Sequence, residues 1–162
     1  MIPVVVILSF LLEILFSNLV SSSGLFIPLF FLVTLVIIYP YFKSKSNYII
    51  ICLICGLLYD LGFLNTAFVN TLCFTFTGLF IMFLHSYINY NIVSTSIVNI
   101  ISIVFYRIIN YLLLCLVAYT NFNILISVKG IYSSLIVNIL YGIILYLLLE
   151  FISKRFNIKK SE

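Results

Sequence analysis

Long apolar runs separated by short polar clusters set the pattern of this chain. Measured against the ~20 residues a helix needs to cross a bilayer, they predict membrane spans near 2–20, 25–42, 48–64, 67–86, 92–119 and 131–152, followed by a basic tail at 153–162. The predicted connections are short: Ser21–Gly24, Lys43–Asn47, a tight turn near Asn65-Thr66, Ser86–Asn91 and Thr120–Gly130. That turn makes the third and fourth spans either a helical hairpin or a re-entrant pair, the latter leaving four full crossings. The fifth run would be about 42 Å long at 1.5 Å per residue against a ~30 Å hydrocarbon core, so its ends must reach the interface or the helix must tilt or bend.

Polar positions inside these spans fall in stripes. Asn99, Ser102, Tyr106 and Asn110 follow i, i+3, i+7, i+11 beside Arg107, which puts them on one helix face. Asn70, Thr77, Gly78 and His85 form a stripe in the fourth span, and Ser134, Asn138, Tyr141 and Gly142 one in the sixth. Three charges lie within spans, Glu13, Asp60 and Arg107, all in odd-numbered spans and at similar depth. A charge at that depth is costly and normally finds a partner inside the bundle. A guanidinium can serve two carboxylates, so Arg107 is expected to pair with Asp60, with Glu13, or with both. The expected buried polar cluster is Glu13, Asp60, Tyr106, Arg107 and Asn110, structural or coupled to a partner. Ser133, Ser134 and Gly142 offer a face on which another helix could pack closely.

Composition fixes the class. Of 162 residues, 65% are hydrophobic and 7% charged, with a mean hydropathy of +1.34; eight Lys and Arg with four Asp and Glu cannot furnish the surface of a water-soluble domain. The expectation is an all-α integral membrane protein, about six transmembrane helices in one bundle. The net charge of +4 does not point to nucleic acid, because Lys154, Arg155, Lys159 and Lys160 cluster just beyond the last span. With Lys43 and Lys45 on the same side and only Lys129 opposite, the positive-inside rule puts both termini in the cytoplasm. The first span lacks a basic leader and is interrupted by Glu13, which favours an uncleaved helix over a signal peptide.

Candidate chemistry is sparse. Cys52-Leu53-Ile54-Cys55 has the spacing of half a zinc site without a second pair of ligands, and the four cysteines all lie in apolar runs. Neither a metal nor a cofactor is expected. His85 reads as a solvated interfacial group, and Tyr39, Tyr41, Tyr48, Tyr87, Tyr90, Tyr119 and Tyr132 as an interfacial belt. Glu150 and Lys154, at i, i+4, are expected to pair at the end of the last span. No nucleophile with a base and no phosphate loop is visible, so no enzyme is expected.

The chain resembles the MreD family of bacterial rod shape-determining membrane proteins along nearly its whole length. The resemblance rests on Asn18 ending the first span, Pro28-Leu29-Phe30 opening the second, Gly56-Leu57-Leu58-Tyr59-Asp60 in the third, Asn65-Thr66 and Asn70 after it, Tyr106-Arg107 in the fifth, and Ile131-Tyr132-Ser133-Ser134 with Asn138 in the sixth. It implies a non-enzymatic part of the elongation machinery in the bacterial cytoplasmic membrane, helping maintain rod shape with MreC, MreB, RodA and a class B penicillin-binding transpeptidase, among membrane lipid. The family is similar in architecture to the substrate-binding subunits of energy-coupling-factor vitamin transporters. The alternative is therefore such a subunit, with a ligand pocket lined by Asp60, Asn65, Asn70 and Arg107.

Overall fold

The computed structural model describes residues 2–20, 27–63, 68–88, 90–117 and 124–156, without the side chains of 20, 63 and 124–127. Six α-helices occur among them: α1 (Ile2–Val20), α2 (Phe30–Ile38), α3 (Lys45–Phe63), α4 (Val69–His85), α5 (Ile92–Leu116) and α6 (Ile124–Arg155), with one 3-10 turn at Tyr39–Tyr41 and no strand. Helices α1, α3, α5 and α6 are long and apolar enough to cross a membrane. The chain is thus a helical membrane bundle.

Helices α2 and α4 are shorter, nine and seventeen residues, or ~14 and ~26 Å at 1.5 Å per residue. In the apolar run expected to be helical from 25 to 42, of which residues 25 and 26 lie outside the described ones, the described residues form α2 and the 3-10 turn at Tyr39–Tyr41. Pro28 lies two residues before Phe30 and Pro40 sits in the 3-10 turn after Ile38; a proline donates no backbone hydrogen bond and crowds the preceding turn, so the two bracket a short helix. At the other extreme, α6 begins at Ile124 and runs through Gly130, which costs only ~1 kcal/mol inside a helix.

All nine residues of α2 are buried, and α1, α4, α5 and α6 pack around them. Helices α3 and α4 form the most closely packed hairpin, followed by α5 with α6 and α4 with α5, while α1 rests chiefly on α2. Small residues set these distances: a Cβ at Gly78 would stand 2.6 Å from Cys52 Sγ, and one at Gly142 would stand 2.7 Å from Asn99 Nδ2 and 3.2 Å from Val33 Cγ1. Outward faces are apolar, as in Val4, Ile7, Leu11 and Leu15 of α1, which suits lipid as solvent.

A helix that begins and ends inside the bundle leaves backbone groups with no water to satisfy them. At the C-terminal end of α2 the Tyr48 hydroxyl donates to the Leu35 carbonyl at 3.2 Å and the Tyr90 hydroxyl to the Ile37 carbonyl at 3.3 Å. The His85 ring is turned to the Val36 carbonyl and stacks on Tyr39 with centroids 5.0 Å apart. Tyr41 and Tyr48 are therefore buried, not part of an interfacial belt, and His85 lies in an aromatic nest with its Nε2 shielded from solvent. Tyr87 and Tyr132 are exposed; Tyr119 lies outside the described residues.

Candidate functional site

Two helices start with apolar residues at the position where a short polar side chain usually caps: Leu29 before α2 and Phe68 before α4, neither making a side-chain cap. In both cases the preceding helix lends a carboxylate. Asp60 of α3 accepts four hydrogen bonds from the first turn of α4: Asn70 N–H at 3.0 Å and Asn70 Nδ2 at 2.9 Å on Oδ1, then Thr71 N–H at 2.8 Å and Thr71 Oγ1 at 2.7 Å on Oδ2. Glu13 of α1, only 1% exposed, accepts from the Phe31 N–H at 2.8 Å on Oε2, with the Tyr59 hydroxyl turned to the same carboxylate. A negative group at a helix N-terminus is also favoured by the helix dipole.

Gly56 explains how Asp60 reaches α4. The two residues are i, i+4 on one face of α3, and a Cβ at Gly56 would lie 2.5 Å from Thr71 Cα and 2.9 Å from the Asn70 carbonyl oxygen. Only glycine lets the backbones approach so closely. The network continues into α5, because Asn70 Oδ1 accepts from the Tyr106 hydroxyl at 2.9 Å and from Asn110 Nδ2 at 3.0 Å. Asn70 has no exposed surface, and both ends of its amide are used inside the bundle.

Asn138 of α6 does a third such task on the segment leading into α2. Its Oδ1 accepts from the Leu29 N–H at 2.7 Å, while its Nδ2 donates to the Ile27 carbonyl at 3.0 Å and to the Ser134 carbonyl. The Ile27 N–H in turn donates to the Ser133 carbonyl at 3.1 Å.

The description of rod shape-determining protein MreD matches residues 1–156. The chain belongs to the MreD family. A search of curated proteins and one of solved structures found no match. Family membership supports a role in rod-shape determination and association with the rod-shape machinery in general, in a multi-pass membrane protein.

Within this family member, the buried polar residues separate into parts that sequence spacing had joined. Asp60, Tyr106 and Asn110 share one network through Asn70 and Thr71. Glu13 caps a different helix. No ion pair within 4 Å joins Arg107 to either carboxylate; the one pair among the described residues is Glu150–Lys154 at 3.0 Å. The first turn of α4 takes both oxygens of Asp60 and the Phe31 N–H takes Glu13 Oε2, while Glu13 Oε1 is buried without a hydrogen-bond partner; the charge of Arg107 is nonetheless felt at Glu13, Tyr59 and Tyr106. Gly142 is buried against Val33 of α2 and Asn99 of α5, so the close approach it permits is internal, and the buried Ser134 turns its hydroxyl back to the Gly130 and Ile131 carbonyls. Ser133 Oγ turns back to the Gly130 carbonyl at 3.1 Å. Asn65 lies outside the described residues. Thr71 supplies two of the four bonds to Asp60, and its only trace in the sequence is its place beside Asn70 in the first turn after Asp60.

Proposed function

We propose that this protein is a non-enzymatic component of the elongation machinery that organises MreC and the sidewall peptidoglycan synthases, RodA and its class B transpeptidase, in register with MreB. The reading is carried by the family match across residues 1–156. Both termini face the cytoplasm, supported by Lys43, Lys45, Lys154, Arg155, Lys159 and Lys160 against Lys129. Recognition runs through the membrane-embedded helix faces, since the described residues outside the helices form only short connections. The caps supplied by Glu13, Asp60 and Asn138 hold one arrangement of the bundle, and that arrangement is the surface presented to partners.

The test is a detergent pull-down of the tagged protein from its own membranes, read by mass spectrometry, for the natural sequence, Asp60→Asn and Arg107→Ala. Recovery of MreC and the synthases with the natural protein, and their loss with Asp60→Asn at equal protein level, is the expected result. Recovery of an ATPase module and a small ligand instead would refute the reading.

A further inference from the structure

Among the buried polar side-chain atoms that have no hydrogen-bond partner in the described residues, three complement one another: Glu13 Oε1 on α1, and Arg107 Nε and Nη2 on α5. The first is a charged acceptor. The other two carry the parallel N–H groups of one guanidinium edge, which can grip two acceptors or converge on one. A bare carboxylate oxygen and a bare guanidinium edge are both costly inside a membrane bundle, and buried groups of this kind are rarely left without an ordered water or ion to serve them.

The three atoms share one electrostatic neighbourhood. The charge of Arg107 acts on Glu13, and both charges act on Tyr59 of α3 and Tyr106 of α5, yet no ion pair within 4 Å joins the two. Helices α1 and α5 do not pack closely on each other, since α1 rests chiefly on α2 and α5 on α4 and α6. Side chains alone must therefore span the interval. Glu13 is not free to close it, because its Oε2 is held by the Phe31 N–H at the buried start of α2. A water matches the donors and acceptor: it can accept from Nε and Nη2, donate to Oε1 and, at ~2.9 Å from nitrogen and ~2.7 Å from oxygen, bridge up to about 5.6 Å. Three hydrogen bonds to groups otherwise unsatisfied are what a buried water typically makes.

We propose that Glu13 and Arg107 form a buried water site, in which a bound water accepts from Arg107 Nε and Nη2 and donates to Glu13 Oε1, making a water-separated ion pair inside the bundle. This does not depend on the partner reading above. It gives Glu13 two tasks, one oxygen for the start of α2 and the other for α5, and so ties the first helix to the fifth where their backbones do not pack.

The test uses the full chain in detergent and millisecond X-ray radiolysis read by mass spectrometry, in which a bound water yields hydroxyl radicals that oxidise the buried side chains beside it. Tyr59 and Tyr106, 9% and 2% exposed, are expected to be oxidised in the natural protein. Tyr48, fully buried with its hydroxyl on the Leu35 carbonyl, is the dry control. In Arg107→Leu, oxidation of Tyr59 and Tyr106 is expected to fall to the level of Tyr48. A second readout is unfolding of Glu13→Gln, Arg107→Leu and the double variant, where the two changes should be non-additive by about tenfold in the unfolding equilibrium constant. Tyr59 and Tyr106 no more oxidised than Tyr48 in the natural protein would overturn the proposal, a result that needs no variant to fold. Unchanged oxidation in Arg107→Leu places the water elsewhere and overturns it too. Non-additivity without oxidation assigns a direct pair in place of the water, and additive costs with oxidation show that the water does not join the two charges; either refutes the site.

Discussion

Replacing Gly56 by alanine should uncouple α3 from α4 more severely than a single methyl group suggests. The added Cβ would stand 2.5 Å from Thr71 Cα and 2.9 Å from the Asn70 carbonyl oxygen, both of them backbone atoms that no rotamer change can move. Bringing the closer contact to an ordinary 3.4 Å requires the first turn of α4 to retreat by about 0.9 Å. The four bonds to Asp60, now 2.7 to 3.0 Å, would stretch to roughly 3.6–3.9 Å and cease to be hydrogen bonds. Bonds to a charged group are worth about 1.5–3 kcal/mol each, and partial relaxation recovers some of the loss, so Gly56→Ala should cost about 3–5 kcal/mol. Asp60→Asn turns one acceptor into a donor facing Asn70 or Thr71 and should cost about 2–4 kcal/mol. Because both changes break the same bonds, the double variant should be about 2 kcal/mol less destabilised than the sum of the two. Unfolding of the purified protein in mixed micelles with rising dodecyl sulfate, followed by circular dichroism, measures all four corners of the cycle. A Gly56→Ala cost below about 1 kcal/mol, or costs that add within ~0.5 kcal/mol, would refute this account of the hairpin.

Three further substitutions probe the other helix ends in the same assay. Glu13→Gln keeps an acceptor for the Phe31 N–H and should cost under about 1.5 kcal/mol, whereas Glu13→Ala orphans a buried donor and should cost about 3 kcal/mol. Asn138→Ala removes the partners of the Leu29 N–H and Ile27 carbonyl and should lose about 3 kcal/mol, with faster amide exchange at Leu29 as the local readout. Phe68 is in the left-handed region at φ 65° and is 63% exposed; Phe68→Gly should therefore stabilise the protein by up to about 1 kcal/mol, and a loss would show that the ring is anchored by packing.

Hydropathy was enough to reveal a helical membrane bundle, and the Gly56–Asp60 element that carries part of the family resemblance lies where α3 and α4 approach most closely. What the spacing could not reveal is the identity of the acceptor's partner. Glu13 answers the Phe31 N–H, and Asp60 the N–H groups of Asn70 and Thr71 together with their side chains; every residue but proline carries a backbone N–H, so nothing in the sequence distinguishes Phe31, and Asn70 and Thr71 show only the side-chain half of their part. Charge complementarity suggested Arg107 instead, because side-chain charges are the only visible candidates when the backbone is left out. The same limit applies to α2: an apolar count merges Leu29 to Tyr41 with its flanks, while Pro28 and Pro40, read as breakers, bracket a helix too short to span. His85 and Tyr48 look interfacial by type, yet α2 ends inside the bundle and its last carbonyls draw them inward.

The way α2 is held has a consequence for biogenesis. A nine-residue helix whose ends are satisfied, among the described residues, by Glu13, Tyr48, His85, Tyr90 and Asn138 cannot settle in lipid as it leaves the ribosome, and its last anchor among these is not synthesised until α6 is made. The second helix of the chain must therefore wait, sheltered by the insertion machinery or at the membrane surface, until the sixth arrives. Truncation before Asn138 should leave a protein that reaches the membrane but is cleared by quality-control proteases, whereas α1, apolar enough to cross on its own, should insert regardless.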